Sequence, residues 1–219
     1  MKPELTTLLG TREDYIQIPD TNTIIARTES HKELTNEGTI FALYEDGLNM
    51  PNPDLFFRHY LNVINASQNK AVLYTSDNRP VPRDEVEELW EKLSTNCWTH
   101  LDARFESGGI WFKSLNLLTN SRVIGKKVTS TSYPLERCVM DDGLVDLEFN
   151  SQGLPVRKSQ NQHYELGKNI YYWHPRDGSV TRFYANSGKA GVGCGRYPEV
   201  SDSALGVFSC AEGAPKNRM

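Results

Sequence analysis

PRDEVEELWEKLSTNCWTHL, Pro82 to Leu101, constrains the fold more than any other stretch of the chain. Pro82 stands where a first-turn proline belongs, and acids follow at Asp84, Glu85, Glu87 and Glu88, where they meet the positive end of a helix dipole. Val86, Leu89, Trp90, Leu93 and Cys97 fall on one stripe, so the spacing predicts a helix over 82–98 with a single apolar face. Such a face needs an apolar layer opposite it. NPDLFFRHYLNVINAS supplies a second helix near 53–66, with Asp54 as its starting signal and Phe56, Tyr60, Val63 and Ile64 at helical spacing.

The rest reads mostly as strand. DYIQIPDTNTIIAR is a hairpin turning at Pro19-Asp20-Thr21-Asn22. GTIFALYED from Gly38 reads as a buried strand and KAVLYTS as a short one. From residue 110 onward WFKSLNLLT, LVDLEFNSQGLPVRKS (turning at Gln152-Gly153) and KNIYYWHPRDGSVTRFYAN continue the β pattern. In the last, NIYYW and SVTRFYA flank HPRDG and are expected to pair as a hairpin. The expectation is one α+β domain over residues 1–219, two helices on antiparallel sheet, with no solenoid repeat.

Composition narrows the function classes. Net charge is −4 with no basic run, which disfavours nucleic acid as a partner. No apolar run is long enough to span a membrane, and MKPELTTLLG shows no apolar signal core. Localisation stays open, with a virion or a cell surface as the settings considered. Cys97, Cys138, Cys194 and Cys210 are far apart, and His31, His59 and His163 lack ligand spacing, so no metal site is expected. A Cys194–Cys210 disulfide would need oxidising conditions, and the sequence does not decide it.

The glycine-rich run GKAGVGCGRYPEVSD, Gly188 to Asp202, is the remaining oddity. It fits neither phosphate-loop spacing, since Arg196 and Glu199 break the dinucleotide fingerprint and Phe183 stands where a P-loop needs its first glycine. Cys97 and His100, three apart on the expected helix with Asp102 nearby, raise the idea of an activated thiol. Cys97 continues the apolar stripe, so a buried structural cysteine is the better reading. His174, ending YYWHP, reads as a hairpin residue, and Asp141-Asp142 and Glu87-Glu88 read as solvated acids.

Within the run, Ala190, Val192 and Cys194 alternate with Gly191, Gly193 and Gly195. Period two puts the first set on a buried face and the glycines on an exposed one. A looser alternation sets Ser201, Ser203, Leu205 and Val207 against Asp202, Ala204, Gly206 and Phe208. One face would maintain the fold and the other would be free to vary.

On these residues RFYANSGKAGVGCGRYPEVSDSALGV resembles the variable region of archaeal, nanoarchaeal-type diversity-generating retroelement proteins. Their pattern runs roughly RF-x-A-x-S, A-x-L-x-C, P, S-x-S-x-LGVR. The chain has Arg182-Phe183, Ala185, Ser187, Ala190, Cys194, Pro198, Ser201, Ser203 and Leu205-Gly206-Val207 in place. It departs at Val192, for leucine, and at Phe208, for arginine. The resemblance implies a C-type lectin fold and a non-enzymatic ligand-binding protein whose C-terminal surface is diversified at adenines. The sites it implies are Tyr184, Gly188, Gly191, Gly193, Gly195, Tyr197, Val200, Asp202, Ala204 and Phe208, with Tyr184, Tyr197 and Phe208 as anchors. None is Lys, Glu, Gln, Met or Trp, the residues that adenine mutagenesis of an asparagine codon cannot reach. The ligand implied is a macromolecule, a protein on another cell or particle, bound without cofactor or metal. The rival readings are a formylglycine-generating-type oxidase using Cys194 and Cys210, and a structural virion or surface protein.

Overall fold

A computed structural model describes residues 14–108 and 114–212. Residues 111–113 of the expected WFKSLNLLT strand and the MKPELTTLLG segment lie outside them. The architecture is mixed α+β. The described residues form three helices, α1 (Asn36–Glu45), α2 (Pro53–Ser67) and α3 (Arg83–Thr95), and ten strands. These are β1 (Tyr15–Gln17), β2 (Thr23–Ala26), β3 (Asn96–Ser107), β4 (Leu115–Ile124), β5 (Lys127–Pro134), β6 (Gly143–Asp146), β7 (Asn169–Trp173), β8 (Val180–Asn186), β9 (Lys189–Arg196) and β10 (Cys210–Glu212). A small sheet runs β1-β2-β10, and a seven-stranded sheet runs β5-β4-β3-β8-β9-β7-β6. No helix among the described residues is long and apolar enough to cross a membrane.

α2 starts as its sequence demands. Asn52 caps it, its side-chain oxygen accepting the Leu55 N–H at 2.9 Å, and Pro53 takes the first turn. Its buried residues, Phe56, Phe57, Tyr60, Val63 and Ile64, face the sheet. Phe183 of β8 meets them with ring centroids 4.9 Å from Phe56 and 5.2 Å from Tyr60. α3 lays Val86, Leu89 and Leu93 into the same core. Trp90 sits at the edge of that stripe, half-buried, its ring 6.0 Å from Tyr60.

The sequence reading needs correcting in several places. GTIFALYED is helix α1, not a strand. Thr35 caps it by accepting the Gly38 N–H, and Ile40 and Leu43 face inward. A short apolar run carries no period that separates a buried strand from a buried helix, and the cap decides it. KAVLYTS forms only isolated bridges, Ile16–Thr75 and Tyr74–Pro80. The expected helix 82–98 stops at Thr95, and Cys97, Trp98 and His100 belong to β3. Three apart on a strand, Cys97 and His100 project to opposite faces, so the thiol–imidazole pair is not formed.

The largest correction concerns the last hairpin. β7 and β8 do not pair. β8 turns at Ser187-Gly188, both at positive φ, the conformation of a two-residue type I′ loop, and pairs antiparallel with β9. β9 then fills the space between β8 and β7, parallel to β7, with Tyr171 opposite Gly191 and Trp173 opposite Gly193. HPRDG is a turn, but it is tied to β3 instead of closing a hairpin: Gly178 N–H donates to the Phe105 carbonyl and Asp177 accepts the Ser107 N–H. The sheet is therefore antiparallel except at β7–β9.

The expected Gln152-Gly153 turn is present and closes by the Gly153 N–H to the Asn150 carbonyl, 3.0 Å. Gly153 has φ +74, and a Cβ there would collide with the backbone of Pro53 and Asp54 at the start of α2. Gly153→Ala should cost about 1–3 kcal/mol, adding backbone strain to a clash that no side-chain rotation relieves. Gly188 has a similar φ with open space around it, so Gly188→Ala should cost less. Urea midpoints of the two variants test the ordering.

Candidate ligand-binding face

The β8–β9 hairpin has two faces. Phe183, Ala185, Ala190, Val192 and Cys194 point into the core and are fully buried. Tyr184, Arg182 and the three glycines of β9 take the other face. Beside them β3 contributes Trp98, and β7 contributes Tyr171 and Trp173, which alternate with the buried Ile170 and Tyr172.

These rings form one row across the sheet. Trp98 stacks on Tyr184 at 5.2 Å, Tyr184 meets Trp173 at 5.5 Å, Trp173 meets Tyr171 at 6.3 Å, and Tyr171 stacks on Tyr164 at 5.8 Å. Tyr184 reaches Trp173 across β9, the strand between them. It does so because position 191 is glycine: a Cβ there would run into the Tyr184 ring and hydroxyl. Lys189 lies 5.9 Å over the Tyr171 ring, a cation on an aromatic face. Burial, reinforced by Tyr171, pushes the Tyr184 phenol well above its usual range, so it stays a neutral donor.

The glycines are thus not bare surface. Gly191 and Gly193 are buried under neighbouring side chains, and Gly195 is half-buried near Arg176. The exposed-face expectation fails for them because side chains of β8, Arg176 and Arg196 lie down over the strand. Arg176 is itself fixed by an ion pair to Asp142 at 3.0 Å. Asp142 also accepts the His174 N–H and ring Nδ1, contacts that hold its carboxyl below the usual range.

The segment after β9 is tied down by Arg182 and by the Asn36 N–H, which donates to the Pro198 carbonyl at 3.2 Å. The Arg182 guanidinium donates to the carbonyls of Tyr197 (3.4 Å) and Val200. Tyr197 is 74% exposed, and Val200, Asp202 and Ala204 are exposed with it. Ala204 and Trp98 line a cleft of about 430 Å³ together with Glu29, Lys32 and Lys92. Gly188 marks the exposed turn at the end of the hairpin.

Phe208 does not belong to the site. It is fully buried, its ring 6.3 Å from Phe56, and cannot anchor a ligand. The expected alternation over 201–208 is absent: 201–204 are all exposed and 205–208 all buried. A loop followed by a segment threaded through the core has no period. Sequence reasoning also missed Trp98, Trp173, Tyr171 and Arg182 as parts of the face. The alternation in NIYYW pointed to Tyr171 and Trp173, but the expected pairing with β8 left no glycine strand between them.

The four cysteines are free. Cys194 lies in the core on β9 and Cys210 on β10 of the small sheet, and burial pushes both thiols up to about 12. A redox or nucleophilic thiol needs the opposite shift. Cys97 is raised as well, by burial and then by neighbouring Glu29. No group of three or more His, Cys, Asp or Glu side chains among the described residues is arranged to hold a metal ion. Compared with protein-family models, curated proteins and solved structures, the chain matches none.

Proposed function

We propose that this chain is a ligand-binding protein of C-type lectin-like architecture, diversified by a retroelement, whose β8–β9 hairpin and following loop engage a macromolecular partner. The two-sidedness of that hairpin carries the reading. Motif positions Phe183, Ala185, Ala190 and Cys194 are core, whereas Tyr184, Gly191, Gly193, Tyr197, Val200 and Asp202 gather around the Arg182–Tyr184 side of the sheet. Substitution at the exposed positions Tyr197, Val200, Asp202 and Ala204 costs little stability, whereas a side chain at Gly191 must displace the Tyr184 ring, and half-buried aromatic rings beside small residues are the composition of adaptable binding surfaces. Trp98, Tyr171 and Trp173 would be a fixed floor, and Tyr184 and Tyr197 the changeable anchors. Binding of this kind needs no metal, cofactor or reacting group.

Sequencing the gene across a natural population tests the proposal. Variation should fall on 184, 188, 191, 193, 195, 197, 200, 202 and 204, trace to adenines of a nearby template repeat, and spare Ala190, Val192, Cys194 and Phe208. Non-glycine residues at 191 should accompany smaller residues at 184, because the two compete for one space. Variation spread evenly over both faces, or none beside an intact template, would overturn it.

A further inference from the structure

Each sheet ends in two border strands, and β1, β10 and β6 are covered by irregular chain. β1 is bonded along its outer side to 74–76, the Gln17 N–H donating to the Tyr74 carbonyl and the Ser76 N–H to the Tyr15 carbonyl, both at 2.9 Å. β10 exchanges bonds with Asn49. β6 is bonded to 157–159, the Ser159 N–H donating to the Leu144 carbonyl and the Asp146 N–H to the Arg157 carbonyl. β5 is the exception. It borders the large sheet, and among the described residues no main-chain group bonds to its outer side. It is exposed throughout, apart from a half-buried Val128. An open border is a template for another strand, and proteins usually blunt it with a proline, a bulge or charges along its length. β5 has none of these over Val128–Tyr133. Its charge, Lys127, and its proline, Pro134, stand at the two ends, and the bulge lies on β4, where Asn120 and Ser121 stand against Ser130.

The register shows which groups are open. The Leu135 N–H donates to the Leu115 carbonyl at 3.0 Å, so Thr129, Thr131 and Tyr133, in phase with it, address β4. Val128, Ser130 and Ser132 alternate with them and turn both N–H and C=O outward. Pro134, next in that series, has no N–H, and its carbonyl accepts the Gln152 Nε2 at 2.8 Å, which closes that end.

We propose that β5 pairs antiparallel with β5 of a second copy, across a two-fold axis at Ser130, and joins the two large sheets into one. Centred there, Ser130 meets the partner's Ser130 and Val128 meets the partner's Ser132, so every outward donor finds a carbonyl. Centring on Thr131 would set Val128 against Pro134, which has no N–H to return. Centring on Thr129 would set Ser132 against the Gly125-Lys126 turn. In the chosen register Thr129 faces the partner's Thr131, and Lys127 faces the partner's Tyr133 ring, so no like charges oppose each other. KVTSTSY reads nearly alike in both directions from Ser130, which suits it to its own copy more than to an unrelated peptide. A two-fold of this kind is perpendicular to the sheet. Both copies would therefore turn the Tyr184 side of β8 the same way, and a surface carrying several ligands would meet two sites at once.

Sedimentation velocity of the full chain over a range of concentrations is the test. Wild type should pass from monomer to dimer as concentration rises. Ser130→Pro removes the outward N–H of the central pair and spares the bonds to β4. It should raise the dissociation constant by roughly tenfold or more, the effect of losing both bonds of that pair, with the far-ultraviolet circular dichroism unchanged. A second measurement does not depend on that variant folding. Chains carrying Thr129→Cys are mixed with chains carrying Thr131→Cys under mild oxidation. Facing residues of a non-hydrogen-bonded pair have Cα atoms about 4.5 Å apart, within disulfide reach, so the mixture should cross-link to dimer much faster than either chain alone. The pairing is overturned by a wild type that stays monomeric at every concentration, by a dimer that Ser130→Pro leaves intact, or by equal cross-linking in the mixture and the single variants. None of these outcomes depends on whether the gene varies at adenines.

Discussion

Phe183→Ala should lower the unfolding free energy by about 3–5 kcal/mol, while Tyr184→Ala, one residue along the same strand, should cost only about 1 kcal/mol. Phe183 is fully buried and touches three rings of α2, Phe56, Phe57 and Tyr60, at centroid distances of 4.9, 6.3 and 5.2 Å. Removing it empties the junction between the helical layer and the sheet, and flanking aromatics collapse poorly into such a hole. Tyr184 loses its contacts to Trp98 and Trp173 but leaves solvent-accessible space behind. Urea unfolding of the two variants is the measurement. Equal losses would mean that β8 does not divide into a structural and a changeable face.

Acid should unfold the protein well before its carboxylates are all protonated. His59 and His100 are fully inaccessible, and burial pushes each down to about 4. For His100, its hydrogen bond to the Leu34 carbonyl works against that shift and the Arg182 charge works with it. In the unfolded chain both titrate near 6.5. Below 6.5 the unfolded state therefore takes up protons that the folded state refuses. Stability is full above that value, falls as pH drops from 6.5 toward 4, and loses about 3 kcal/mol per histidine at the lower end. Asp102 acts the other way. Burial raises its carboxyl despite hydrogen bonds from Ser121, so its charge burdens the fold at neutral pH and is relieved on acidification. Urea midpoints at pH 7 and pH 4.5 should show the net loss, and His59→Leu should remove about half of it. The same pH slope in wild type and His59→Leu would sink this account.

Both predictions rest on parts of the fold that differed in how plainly the sequence announced them. The helices α2 and α3 were legible because an apolar stripe of four or more residues has one period and α2 also has a cap. The inner face of β9 was legible for the same reason at period two. The strand neighbours were not. Pairing depends on where the HPRDG turn is tied, and its anchors, Phe105 and Ser107, lie about 70 residues upstream. The candidate site was half legible. The motif singled out Tyr184, Tyr197 and Asp202, but burial of the glycines depends on Tyr184 and Arg196 folding over them, and burial of Phe208 depends on a segment after the loop that enters the core. Neither leaves a periodic trace. Arg182 was visible only as half of the Arg-Phe pair; its role appears only when the loop carbonyls it holds are seen.

The placement of β9 between β7 and β8 bears on how the protein meets other chains. A glycine-rich strand on a sheet border would offer unsatisfied amides to any other chain, and its register could slip. Here both sides of the strand are already hydrogen-bonded, antiparallel to one neighbour and parallel to the other. Whatever side chains occupy its outer positions, the backbone has no open border for a second copy to extend. A glycine-rich strand paired on both sides offers no template for edge-to-edge association.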